Sequence, residues 1–157
     1  VELTEGTAPE RLRTLPSRLI NMAALSANRL VDRVLADEGV RRYHYALLAA
    51  LEEFGPASQA ALGRRTGIDR SDVVAAINEL AERALVERSP DPADRRRNIV
   101  SITAEGSRRL ATLDRLLAAA QDELLGPLSD AERRQLVDLL TRVVERQSAG
   151  DQARLMG

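Results

Sequence analysis

Residues 85–103 are the stretch that most constrains the fold, because they interrupt an otherwise helix-favouring chain. Leu85 to Ser89 and Ile99 to Thr103 read as two short strands. Between them lies Pro90-Asp91-Pro92-Ala93-Asp94-Arg95-Arg96-Arg97-Asn98, whose prolines suit neither a helix interior nor a central strand. The spacing predicts a β-hairpin with a long charged tip. Elsewhere Ala and Leu dominate and aromatic residues make up 2% of the chain. The expected fold class is therefore mainly α with one small β wing.

Helix signals flank the hairpin on both sides. A first helix is expected from about Pro16, a residue suited to a first turn. Leu19, Ala23, Leu30 and Val34 form its stripe, with Ile20, Ala27 and Val31 beside it, and Gly39 ends it. A second runs from about Tyr43 to Phe54, with Leu47, Leu48, Leu51 and Phe54 inward and Gly55-Pro56 as its stop. Ser58 caps a short helix holding Ala61 and Leu62, Thr66-Gly67 makes a tight turn, and Ile68 returns to the core. Asp69 is the expected cap of the next helix, which reaches about Arg83 with Asp72 near its positive end. After the hairpin, Thr103 caps a long helix to about Leu125, striped by Leu110, Leu113, Leu117, Ala120 and Leu124. Ser129-Asp130-Ala131-Glu132 is a capping box that opens a last helix to about Gln147, with Leu136, Leu140, Val143 and Val144 inward.

Short helix, tight turn, longer helix and hairpin, in that order, read as a winged helix-turn-helix. The 157 residues are expected to form a single domain. Its DNA-binding lobe covers 43–103, dimerisation helices cover 12–38 and 104–148, and a frayed tail covers 149–157. The long apolar stripes of the first and last helices exceed what a thin platform buries within one chain, so a homodimer is expected. A symmetric pair would meet the half-sites of a palindromic operator on double-stranded DNA.

Stepping about 100° per residue along Arg70 to Arg83 sends Val73, Ile77, Leu80 and Ala84 to one arc. Ser71, Ala75, Asn78 and Glu82 fall opposite, with Asp72, Val74 and Glu79 at the margins. On a groove-entering helix Arg70 and Ser71 reach a base or a phosphate, Asn78 can pair with adenine, and Val74 and Ala75 can meet thymine methyls. Asp72 either caps the helix dipole or accepts from cytosine. In the hairpin tip, Arg95, Arg96 and Arg97 repel one another on a loop, which is unfavourable without an anionic partner. An Arg inserted in a narrow minor groove meets an enhanced negative potential. Asp94 is placed to brace one of them. Arg64, Arg65 and Arg88 are candidate phosphate contacts, as are the backbone N–H groups of Ser58 and Gln59 at a helix start.

The net charge of −1 does not itself announce a nucleic-acid partner, and all 23 basic residues are Arg. A winged-helix module for protein contacts alone is the competing reading. There is no Cys, and His44 is the only histidine, so neither a disulfide nor a metal site is expected. No phosphate loop, cofactor motif or catalytic constellation stands out, and an enzyme is not expected. No apolar run approaches membrane-spanning length, and the first ten residues do not read as a signal peptide. No membrane association is expected, and the expected location is the cytoplasm.

The stretch from Leu85 to Gly106 resembles the MarR family of bacterial regulators. Asp94 and Arg96, then a strand ending in Ile102-Thr103 and followed by Gly106, match that family's wing and helix start. The order of helices agrees over nearly the whole chain. The resemblance implies that Arg96 enters the minor groove with Asp94 as its brace, and that the first helix and the last two build the dimer. It further implies repression as the commoner outcome, relieved by a small aromatic acid or phenol bound between the dimer platform and the DNA-binding lobe. Tyr43, His44 and Tyr45 lie at that junction, with Arg41 and Arg42 just before them, a cluster able to hold an anionic aromatic ligand. The recognition segment departs from the family's polar pattern at Asp72 and Val74, and Ala75 stands where Arg is common.

Overall fold

The computed structural model describes residues 8–155. Expectations that concern residues 1–7 and 156–157 lie outside the described residues. The elements in chain order are α1 (Glu10–Arg13), α2 (Pro16–Asp37), α3 (Arg42–Phe54), β1 (Ala57–Ser58), α4 (Gln59–Thr66), α5 (Arg70–Glu82), β2 (Val86–Pro90), β3 (Asn98–Ile102), α6 (Ala104–Leu124) and α7 (Asp130–Leu155). The chain parts after Ala120 into two compact units. Among the described residues no helix is long and apolar enough to cross a membrane.

In the first unit the periodic faces meet around one core. Leu47, Leu48 and Leu51 of α3, Leu62 of α4, Val73, Ile77 and Leu80 of α5, and Val100 of β3 are all fully buried. Each such side chain contributes roughly 1.5–3 kcal/mol by leaving water. A smaller cluster joins Leu35, Val40 and Leu113, with Tyr45 and Leu117 packed against it. The wing is antiparallel, with Val86 opposite Ile102 and Arg88 opposite Val100. A third strand, β1, was not expected. Its two residues pair with Val100 and Ile99, giving the order β1-β3-β2.

Thr103 and Gly106 fasten α6 to the wing. The Thr103 hydroxyl accepts from the Gly106 N–H at 3.0 Å and donates to the Ala84 carbonyl at 2.7 Å. A Cβ on Gly106 would stand 2.1 Å from the Leu85 carbonyl oxygen, so this close approach admits only glycine.

Several expectations are corrected. Phe54 is 58% exposed rather than inward; it stands at the end of α3, where the Arg65 guanidinium covers its ring at 5.1 Å. Ala84 lies beyond α5 with φ of 58°, and Ala76 takes its place in the core. Asp69 occupies the N-cap position of α5 without a side-chain hydrogen bond, whereas the Ser58 hydroxyl does accept from the Ala61 N–H at 3.2 Å. In α2, Leu35 rather than Val34 is fully buried.

The second unit is dominated by α7. Its capping box forms as read, with Ser129 Oγ accepting from the Glu132 N–H at 3.2 Å and Glu132 Oε1 accepting from the Ser129 N–H at 2.9 Å. These bonds hold the Glu132 carboxyl below its usual range. Arg133 donates to Asp122 at 2.6 Å. The helix continues past the expected end near Gln147 to Leu155, so the stretch read as frayed is helical to that residue. Leu140, Val143 and Val144, expected inward, are 40%, 48% and 61% exposed.

Candidate nucleic-acid interface

The turn between α4 and α5 is made by Gly67, whose φ of 70° is left-handed. It lets α5 cross α4 with Val73, Ala76, Ile77 and Leu80 inward. Arg70, Ser71, Val74, Ala75 and Asn78 are exposed on its outer side, with Asp72 half-buried.

Three separate segments converge at one end of this helix. Ser58 and Gln59 at the start of α4, Arg70 at the start of α5, and Arg96, Arg97 and Asn98 of the wing line one cavity of about 430 Å³. Among the described residues, the side chains of Arg64, Arg70, Arg95 and Arg96 have no hydrogen-bond or ion-pair partner. Unpaired guanidinium groups beside a helix start form a donor-rich surface suited to phosphate oxygens.

The wing tip is folded by its own acids. Asp91 Oδ1 accepts from the Ala93 N–H at 2.8 Å. Asp94 Oδ1 accepts from the Arg96 backbone N–H at 3.1 Å, and Asp94 Oδ2 lies 3.6 Å from Arg97 Nε. Asp94 thus braces the loop at Arg96 but pairs its charge with Arg97, which corrects the expected brace on the Arg96 side chain. At the wing base two of the expected contact residues meet each other. Arg88 Nη2 donates to Asn78 Oδ1, which holds the guanidinium against α5 and leaves its other donors for a phosphate. The same bond takes one of the two lone pairs of the Asn78 oxygen, the atom that would accept from adenine.

Of the three residues read as a ligand cluster, only Tyr43 faces open space. It lines a cleft of about 610 Å³ with Leu35, Val40, Arg41, Arg42 and Asp32. His44 is 1% exposed. The Arg41 backbone N–H donates to its Nδ1 at 3.0 Å, which requires that nitrogen to be bare. Its Nε2 therefore carries the proton and donates to Glu79 Oε2 at 2.6 Å. Burial lowers the His44 pKa below its ordinary 6.5, against the opposing pull of Glu79. The Tyr45 hydroxyl donates to Asp114 at 2.7 Å. That bond, with burial, pushes the Tyr45 phenol up to about 12. His44 and Tyr45 are thus engaged within the fold rather than directed at a ligand.

Sequence reasoning placed Arg41 and Arg42 beside the ligand cluster but missed the carboxylates that engage them. Arg41 donates to both oxygens of Glu79 at 2.6 and 2.7 Å, which keeps that carboxyl below its usual range. Arg42 grips both oxygens of Asp32 at 2.6 and 2.7 Å and donates to Asn28 at 2.9 Å. No local pattern announces Arg41–Glu79, because the partners lie 38 positions apart. The Asp32–Arg42 pair, 10 apart across a helix stop, is nearly as hidden.

A sequence profile of the MarR family matches residues 38–97. The transcriptional repressor NicR of Pseudomonas putida is 35% identical over 112 residues, covering 69% of each chain. The PcaV transcriptional regulator of Streptomyces coelicolor, solved in complex with its natural ligand, superposes with a TM-score of 0.73 at 30% identity, over 88% of this chain and 97% of its own. BpsR of Bordetella bronchiseptica, whose DNA binding is regulated by 6-hydroxynicotinic acid, gives 0.74 at 26% identity, over 87% and 98%.

Proposed function

The chain belongs to the MarR family of transcriptional regulators, and we propose that it represses transcription by binding a palindromic operator as a homodimer. In this reading α5 enters the major groove, Arg96 enters the adjacent minor groove, and Arg64, Arg70 and the start of α4 hold phosphates. The observation that carries the reading is the cavity where α4, α5 and the wing meet, beside arginines that no carboxylate neutralises. The role is binding rather than catalysis, and the working location is the cytoplasm.

Dimerisation is supported by the exposed apolar side chains of α7 and, separately, of α2, where Leu19 and Ile20 are 48% and 46% exposed. Release by a small aromatic acid or phenol is supported by the cleft beside Tyr43 and by the similarity to PcaV, solved with its natural ligand, and to BpsR, whose DNA binding is regulated by 6-hydroxynicotinic acid. The test is selection from a random DNA pool, followed by a salt-titrated binding isotherm on the enriched sequence. A palindromic consensus and a steep salt slope are expected. Recovery of no enriched sequence would favour a protein-contact role instead.

A further inference from the structure

We infer that Asn78 and Arg88 form a single unit that presents donors and reads guanine, which makes Arg88, on the wing, a specificity-determining residue for the recognition helix. The inference rests on the reading of α5 as the helix that enters the major groove.

Arg88 lies on β2 opposite Val100, and Asn78 lies on the exposed side of α5. Arg88 Nη2 donates to Asn78 Oδ1. A guanidinium has donors and no acceptor, so the bond turns the amide one way: its oxygen faces Arg88 and its NH₂ faces outward. Among the described residues Arg88 has no carboxylate partner, and Asn78 is where its side chain is held. The charged donor also polarises the amide and strengthens the outward NH₂ as a donor.

An unrestrained Asn reads adenine with one donor and one acceptor, giving to N7 and taking from the N6 amino group. Here Arg88 takes one of the two lone pairs of the oxygen, and its positive charge stands beside the other. Adenine or cytosine would bring the positive edge of an amino group against the guanidinium charge, which is unfavourable. Guanine presents N7 and O6, two acceptors with no donor beside them. Thymine presents a single acceptor next to a methyl group. The pair therefore matches guanine best, with the remaining donors of Arg88 available to the second acceptor or to a neighbouring phosphate.

The experiment is operator selection from a random duplex pool with the full chain as wild type, Asn78→Ala and Arg88→Met, each first checked for an unchanged helical circular dichroism spectrum. The position read by Asn78 is the one whose preference collapses in Asn78→Ala. Wild type should enrich guanine there, and Arg88→Met should lower the guanine-to-adenine ratio by about tenfold. Adenine enriched by wild type, no position sensitive to Asn78→Ala, or an unchanged ratio in Arg88→Met would each overturn the inference while leaving DNA binding intact. No enrichment by wild type at any position would instead remove the DNA reading, and the inference with it.

Discussion

Two sets of arginines in the first unit do opposite work with the same side chain. At the wing and the start of α5, Arg70, Arg95 and Arg96 are unpaired among the described residues. Around the cleft, Arg41 and Arg42 are each clamped by both oxygens of a carboxylate. The open set retains its full charge for an external anion, while the clamped set spends its charge on joining helices. Arg41 ties the start of α3 to α5, and Arg42 ties α3 to α2. The overall balance of −1 hides this division, and only the pairing pattern shows where a phosphate backbone would be welcome.

The open set acts twice only if two copies present it together, so the largest effect should come from splitting the dimer. Leu140→Asp places an unpaired charge on an apolar face of α7, where burial against a second copy would cost on the order of several kcal/mol. Sedimentation at micromolar concentration should show a monomer, and operator affinity should fall to that of one half-site. A variant that remains dimeric would remove α7 from the interface.

Next in size is the loss of one open arginine. Arg96→Ala should cost about 1–3 kcal/mol of operator binding per half-site and reduce the salt slope by about 1 for each guanidinium withdrawn from the DNA. Arg108→Ala removes a guanidinium already held by Glu105 at 2.6 Å and should leave both quantities unchanged. Equal effects of the two substitutions would erase the distinction between open and clamped charge.

The clamped set predicts a different readout. Arg41→Ala should lower the thermal midpoint, because Glu79 loses the guanidinium that bridges both its oxygens and keeps only His44 as a partner. The salt slope of DNA binding should stay as in wild type. A flattened slope without loss of stability would move Arg41 into the DNA-contacting set.

Most of the helical order was legible because apolar periodicity and caps agree along the chain. Leu47, Leu51, Val73, Ile77 and Leu80 fall where their spacing sends them, and Ser58 and Ser129 cap as read. Legibility ended where a partner lies far off in sequence or where a helix ends. β1 is a two-residue strand that exists only because β3 passes beside it. Phe54 and Ala84 continue a periodic pattern past the point where their helices turn, so the pattern sent them inward and the backbone did not. α7 outruns its apolar stripe because its polar C-terminal residues still sustain a helix. At the candidate site, the outward face of α5 was legible, whereas the Asn78–Arg88 and Arg41–Glu79–His44 connections join segments whose pairing no local motif encodes.

The smallest expected effect tests the clamp from inside. His44 is neutral in the fold because the Arg41 N–H occupies its Nδ1 lone pair and burial disfavours its charge. A proton on Nδ1 would set two donors against each other and release the first turn of α3. The folded pKa is depressed below the ordinary 6.5, so the unfolded chain takes up the proton first as pH falls. The resulting stabilisation is complete above about pH 6.5 and is lost as pH falls through the folded value. Glu79 is also depressed, from an ordinary 4.5, but its contribution begins to fade only about one unit above that value, so the interval between about 5.5 and 6.5 isolates His44. Urea unfolding across that interval should show wild-type stability declining with acid. His44→Gln keeps an acceptor for the Arg41 N–H and a donor for Glu79 but cannot titrate, and its profile should be flat there. Salt slopes of DNA binding at pH 7 should be identical for the two proteins. A wild-type decline that persists unchanged in His44→Gln would mean that the clamp does not depend on a neutral His44.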